Sequence, residues 1–148
     1  MARMLILQEM EQNIINLEEA LIPRGHELII VDRELQALQR LHSTKIDLII
    51  SAVYLESSDV FDFLKAVKNN REWNEIPFVL YCSAISTFAR SVRGGLKIAA
   101  ESLGADLYIT MEKFDPALLA KQVEECLIEH KISPLLSFDI SDMQHRAN

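Results

Sequence analysis

A chain of 148 residues, 49% of them hydrophobic, has the length of one domain and enough apolar material for a substantial core. Its formal net charge of -7 argues against nucleic acid as a partner, since binding a phosphate backbone needs a basic footprint, although Arg90, Arg93 and Lys97 lie close together. The N-terminus MARMLILQEM is apolar for only four residues before Gln8 and Glu9, too short for a signal peptide, and no apolar run approaches the ~20 residues of a membrane span, so a cytoplasmic protein without membrane contact is expected.

Short apolar runs alternate with amphipathic segments. Met4–Leu7 is a short buried strand. Ile14, Leu17 and Leu21 follow at helical spacing, and Pro23 with Gly25 ends that helix. Glu27–Val31 reads as the second strand, and Leu35, Leu38 and Leu41 mark the second helix, with Asp32 as its N-cap. Asp47–Val53 is the third strand. Phe61, Leu64 and Val67 line the third helix, capped by Ser58 or Asp59. Pro77 opens the fourth strand, Phe78–Cys82. Leu96, Ala99, Ala100 and Leu103 mark the fourth helix, which Gly104 ends. Leu107–Thr110 is the fifth strand. Asp115 and Pro116 have the N-cap and first-turn proline of a helix start, continued by Leu118, Leu119, Val123, Cys126 and Leu127.

Strands that are apolar throughout, rather than alternating, are buried on both faces, which points to a parallel sheet. The β-α repetition favours a doubly wound open sheet with right-handed crossovers. The domain is expected over residues 1–132, and residues 133–148 form a tail that is polar apart from Leu135, Leu136, Phe138 and Ile140. Cys82 and Cys126 have no metal-ligand spacing and read as buried thiols in a reducing compartment. Trp73 is expected to pack between a helix and the sheet edge.

In an open α/β sheet a ligand binds beyond the carboxyl ends of the strands. The residues at those ends are Gln8 and Glu9, Ala52, Cys82 and Ser83, and Thr110 to Lys113. From Met4 to about Leu127 the chain resembles a response-regulator receiver domain of two-component signalling. MLILQEME resembles the family's strand ending in an acid pair. IDLIISAVYLESSDVFDFLKAV resembles the strand, loop and helix around its phosphorylated aspartate, and IPFVLYCSA the strand ending in its Thr/Ser. GADLYIT followed by FDPALL resembles the last strand and helix. The resemblance implies a flavodoxin-like (βα)5 fold: a doubly wound five-stranded parallel sheet of order 2-1-3-4-5 in an α/β/α sandwich. The segment from Cys82 to Gly104 is several residues longer than usual in the family and contains Gly94 and Gly95, so an extended or hinged fourth helix, or an enlarged loop before it, is expected.

In that family the acid pair and the acceptor aspartate hold Mg²⁺, and a lysine after the fifth strand pairs with the phosphoryl group. Carried over residue by residue, the acid pair is Gln8 and Glu9, the acceptor is Ala52, the lysine is Met111 with Lys113 two residues on, and the Thr/Ser falls on Cys82 or Ser83. Tyr108 retains the switch aromatic. A methyl group neither carries phosphate nor binds metal. Neither neighbour, Ser51 or Val53, restores an aspartate if the register slips. The resemblance therefore implies a stand-alone degenerate receiver, or pseudo-receiver, with Mg²⁺ binding weak or absent. Such a receiver would act by phosphorylation-independent contact with histidine kinases, other receivers or an output protein. A homodimer through the fourth helix, fifth strand and fifth helix is a further expectation.

Two other readings stay open. One is a small-ligand binder or enzyme reusing the vacated pocket near Glu9, Ala52 and Ser83; no Gly-rich phosphate loop or base-nucleophile pair supports it. The other is a receiver phosphorylated at a nonstandard residue among Ser51, Tyr54, Glu56 and Asp59. Cys82 as a nucleophile needs a neighbouring histidine, and none of His26, His42, His130 or His145 is placed near it by sequence. As a redox sensor it would need exposure and a depressed pKa.

Overall fold

The computed structural model describes residues 1–56, 58–83 and 87–130, with side chains for 1–56, 58–83 and 95–130. The 133–148 tail and the Arg90 and Arg93 side chains lie outside the described residues and side chains.

Five strands form the sheet: β1 (Arg3–Leu7), β2 (Glu27–Val31), β3 (Leu48–Ala52), β4 (Phe78–Cys82) and β5 (Leu107–Thr110). All neighbouring pairs are parallel, in the order β2-β1-β3-β4-β5. The central strands β3 and β4 are buried at every residue, whereas the edge strands are only partly covered. That gradient is why LIISA and FVLYC are apolar without alternation. The expected third strand is shortened at both ends. Asp47 leaves the ladder to accept the Arg3 backbone N–H with its carboxylate at 2.8 Å, and Val53 lies past the last paired residue.

The helices are α1 (Glu11–Leu21), α2 (Glu34–Ser43), α3 (Val60–Lys68), α4 (Thr87–Ser102) and α5, described over residues 116–130. A 3-10 turn at Ile22–Arg24 closes α1. Gly25 follows with φ +91°, a left-handed conformation that costs glycine little. Asp59 caps α3 by accepting the Phe61 N–H at 2.8 Å, and Asp115 accepts the Leu118 N–H at 3.1 Å at the start of α5. Asp32 does not cap α2. The N-cap position is Arg33, and the backbone N–H of Asp32 instead donates to the Gln36 side chain at 3.4 Å. The chain bends one residue later than the N-cap preference alone predicts. α4 runs unbroken through Gly94 and Gly95.

Alternation along the strands divides the core in two. Leu5, Leu7, Ile49, Phe78 and Leu80 meet α2, α3 and α4, with the Phe63 and Phe78 rings 5.5 Å apart. Met4, Ile6, Leu48, Ile50, Val79 and Tyr81 meet Leu17, Leu21, Leu119 and Val123 of α1 and α5. The result is the expected α/β/α sandwich. Each fully buried Leu, Ile or Phe contributes about 1.5–3 kcal/mol. Leu35, expected inward, is exposed; Ala37 and Leu41, four residues apart, form the inner stripe of α2 instead. Trp73 is buried in the turn that follows α3, edge-on to the His42 ring of α2 at 4.7 Å.

Candidate functional site

The parallel register brings Leu7, Val31, Ala52, Cys82 and Thr110 to one edge of the sheet, and the residues after them form its floor and rim. Gln8 is buried. Its side-chain carbonyl accepts the backbone N–H groups of Glu9 and Met10, each at 3.1 Å, and orders the turn into α1. Glu9 reaches across to the β3–α3 loop, where its two carboxylate oxygens accept the Glu56 N–H at 3.1 and 2.9 Å.

Ala52 ends β3, buried and opposite Tyr81 of β4. Ser51 is fully buried, and its hydroxyl donates to the Ala52 carbonyl at 3.0 Å. Met111, at the position after β5, is buried in the apolar cluster on the α1/α5 side. Lys113 is exposed. Cys82 is the last residue of β4 and packs into the α2/α3/α4 side, while Ser83 is the first residue past the strand. Tyr108 is half-buried against that same side. Tyr54 is exposed, Glu56 belongs to the Glu9 contact, and Asp59 is the α3 cap.

Mg²⁺ demands near-ideal octahedral oxygen coordination. The donors at this edge do not fit it: the Gln8 oxygen faces two N–H groups, the Glu9 oxygens face a third, and Ala52 offers no oxygen on its side chain. Among the described residues no group of three or more His, Cys, Asp or Glu is placed to hold a metal ion.

A cavity of about 230 Å³ opens beside this edge, between α1 and the loop from β5 to α5. Of the expected pocket residues Glu9, Ala52 and Ser83, only Ser83 lines it; Met111 lines it too. Its other polar walls come from α1 and β4. Asn13 and Asn16 lie on the inner face of α1 and are buried, with Tyr81 of β4 across from them. Gln12 Nε2 donates to Asn16 Oδ1 at 3.0 Å, while Asn13 Nδ2 finds only the Met10 sulfur at 3.6 Å, a weak acceptor. The Tyr81 hydroxyl is buried and, among the described residues, completes no hydrogen bond. Burial raises its pKa, and the nearby Asn16 side chain, within reach but short of a formed hydrogen bond, opposes the rise. The signal was present in the sequence, since Asn13 and Asn16 fall on the stripe continued by Leu17 and Ala20.

Both cysteines are buried and unpaired with each other. Burial, with Asp106 and Glu129 adding to it, pushes the Cys126 thiol up to about 11. At the opposite edge, Arg24 and His26 hold Glu124 of α5, with His26 Nε2 at 3.2 Å. These contacts, led by the Arg24 hydrogen bond, lower the Glu124 carboxyl to about 2.

No protein-family model matches the chain, and no curated protein matches it. Solved structures do. A proposed response regulator from Chloroflexus aurantiacus J-10-fl is 24% identical with a TM-score of 0.73, over 86% of this chain and 98% of that one. The signal receiver domain of a signal transduction histidine kinase from Syntrophus aciditrophicus is 24% identical with a TM-score of 0.71, over 86% and 90%. The chemotaxis response regulator CheY4 of Vibrio cholerae is 21% identical with a TM-score of 0.69, over 85% and 98%. At these identities the likeness establishes the fold, a CheY-like flavodoxin fold. Among the described residues no helix is long and apolar enough to cross a membrane.

Proposed function

We propose that this chain is a degenerate receiver that takes part in two-component signalling through protein-protein contact, without aspartyl phosphorylation and without Mg²⁺. One observation carries the reading: the remaining carboxylate at the site, Glu9, is committed to the Glu56 backbone, while Ala52 ends β3. Phosphoryl transfer relies on positioning and on cations that offset developing charge. Here the acceptor position has no nucleophile, the lysine position is an apolar Met111 in the core, and the metal ligands are turned to N–H groups.

The receiver fold of the neighbours supports partners drawn from signalling proteins: a histidine kinase, another receiver or an output protein. Recognition would rest on surface shape. The α4–β5–α5 surface is the one through which a homodimer would form, and Tyr108 lies on it. A cytoplasmic, non-enzymatic role completes the proposal.

Co-purification of the full chain from its native cell tests the contact. Two-component proteins are expected among its partners, with equal recovery whether or not a phosphodonor and Mg²⁺ are added. Recovery that depends on the phosphodonor, and persists in no other condition, overturns the proposal.

A further inference from the structure

β2 ends the sheet, and its outer side is a strand edge with few of the usual defences. Among the described residues no strand pairs with that side. The Glu27 N–H donates to the Ala2 carbonyl and the Val31 carbonyl accepts from Gln8, so residues 27, 29 and 31 face β1. The N–H and C=O groups of Leu28 and Ile30 therefore face outward. Sheet edges are ordinarily protected by lysine, proline, a bulge or a covering element, since an open edge templates pairing with another chain. β2 pairs with β1 in unbroken register over ELIIV, has neither proline nor lysine, and carries one charge, Glu27, at its start. Beside it, Ile30, Val31 and the α2 residues Gln36, Gln39, Arg40 and Ser43 line a groove of about 500 Å³.

The sequence that follows α5 has the pattern of a strand for such an edge. Pro134 precedes residues 135–140, in which Leu136, Phe138 and Ile140 alternate with Ser137 and Asp139. Alternation is the signature of a half-covered strand, unlike the all-apolar runs of β3 and β4. Topology says which edge it reaches. α5 packs on the same face of the sheet as α1. Over that face the β1–α1–β2 crossover moves outward, toward the β2 edge. Right-handed crossovers over one face all run in the same direction, so the connection through α5 leads to the outside of β2 and away from the outside of β5. α5 already touches that side at the N-terminal edge of the sheet, where Glu124 meets His26 at 3.2 Å just before β2. The steps from His130 to Leu136 span up to about 20 Å, roughly four strand spacings.

We propose that residues 135–140 add to the outer edge of β2 of the same molecule as a sixth, parallel strand. Leu28 and Ile30 exchange backbone hydrogen bonds with it. Its apolar positions, Leu136, Phe138 and Ile140, fall on the α1 side, where Leu28 and Ile30 are only partly covered. Its polar positions, Ser137 and Asp139, fall on the α2 side, in the groove walled by Gln36, Gln39 and Arg40, whose charge complements Asp139. The reverse assignment would set three apolar residues against amides and a guanidinium. The added strand closes the edge against other chains and leaves the α4–β5–α5 surface as the face open to a partner.

Amide hydrogen exchange of the full isotope-labelled chain, read by NMR, tests this. At an open edge the Leu28 and Ile30 amides exchange fast, while Ile29, turned to β1, is slow. The proposal expects all three to be slow, with interstrand NOEs joining residues 27–31 to residues 135–140. Phe138→Asp should speed exchange at Leu28 and Ile30 about tenfold or more and leave Ile29 unchanged. If that variant does not fold, the NOEs of the unaltered chain decide alone. A sample mixing labelled and unlabelled chains separates the two sources of the strand. NOEs within one chain support the proposal, and NOEs only between chains overturn it in favour of a strand exchanged between copies. Fast exchange at Leu28 and Ile30 in the unaltered chain, NOEs from residues 135–140 to β5 instead, or protection that survives Phe138→Asp in a folded chain also overturns it.

Discussion

Both carboxylate oxygens of Glu9 accept the backbone N–H of Glu56, tying the end of β1 to the loop that follows β3. A charge-assisted bond to a backbone amide is worth about 1.5–3 kcal/mol when sheltered. Glu56 is exposed, so about 1 kcal/mol is the expected contribution here. Glu9→Ala should speed hydrogen exchange at the Glu56 amide about fivefold while leaving the β3 and β4 amides unchanged. Unchanged protection at Glu56 would show that the contact does not hold the loop.

Ala52 is buried opposite Tyr81, and an aspartate placed there would be a desolvated charge. Ala52→Asp should destabilise the protein by about 3 kcal/mol at neutral pH. Its folded-state pKa would be raised, so the loss should be small below the unfolded value and grow as pH rises. Adding Met111→Lys should recover part of the stability. Urea unfolding at pH 4 and pH 7 measures both effects.

The unpartnered Tyr81 hydroxyl predicts an unusual substitution. Among the described residues this buried group completes no hydrogen bond, and removing it relieves its desolvation cost, so Tyr81→Phe should be neutral or stabilising by up to about 1 kcal/mol. A loss of that size in thermal unfolding would mean that Asn16 bonds the hydroxyl after all.

Glu124 is lowered from its ordinary 4.5 to about 2, first by its hydrogen bond to Arg24 and then by His26. A depressed carboxyl pKa gives stability that is present above the unfolded value and is lost as pH falls. The melting temperature should therefore drop between about pH 4.5 and pH 2, and Glu124→Gln should flatten part of that slope. An identical slope in the variant would remove Glu124 from the account.

The Cys126 thiol, raised from 9.0 to about 11, should be poorly reactive in the folded chain. Its thiolate fraction at pH 8 is about 100-fold below that of an ordinary thiol. Peptide mapping after brief alkylation should find Cys126 labelled only once the protein is unfolded.

The apolar runs fixed the strands to within a residue or two, because each strand is long in Leu, Ile and Val and bounded by polar turns. The same pattern placed Ala52 and Met111 at the sheet edge. What sequence could not supply was the path of the loops. The Glu9–Glu56 contact joins residues 47 positions apart through a backbone N–H, which carries no sequence signature. Asp32 has the right chemistry for a cap, but the bend falls at Arg33. Leu35 looked inward because three leucines recur every third residue, whereas the buried stripe follows the four-residue step from Ala37 to Leu41. Asn13 and Asn16 fall on the buried stripe of α1, where a polar residue has no spacing that separates a site from a satisfied core group. Cys82 ends β4 and Ser83 follows it, a one-residue boundary that apolar patterning does not draw.

The central claim is that no phosphoryl group is carried at the end of β3. Incubating the full chain with acetyl phosphate and Mg²⁺, beside a receiver that retains its aspartate, and weighing both by intact-mass spectrometry tests it most directly. The account predicts a phosphoryl adduct on the control and none on this chain. A stoichiometric, acid-labile adduct on this chain would contradict it.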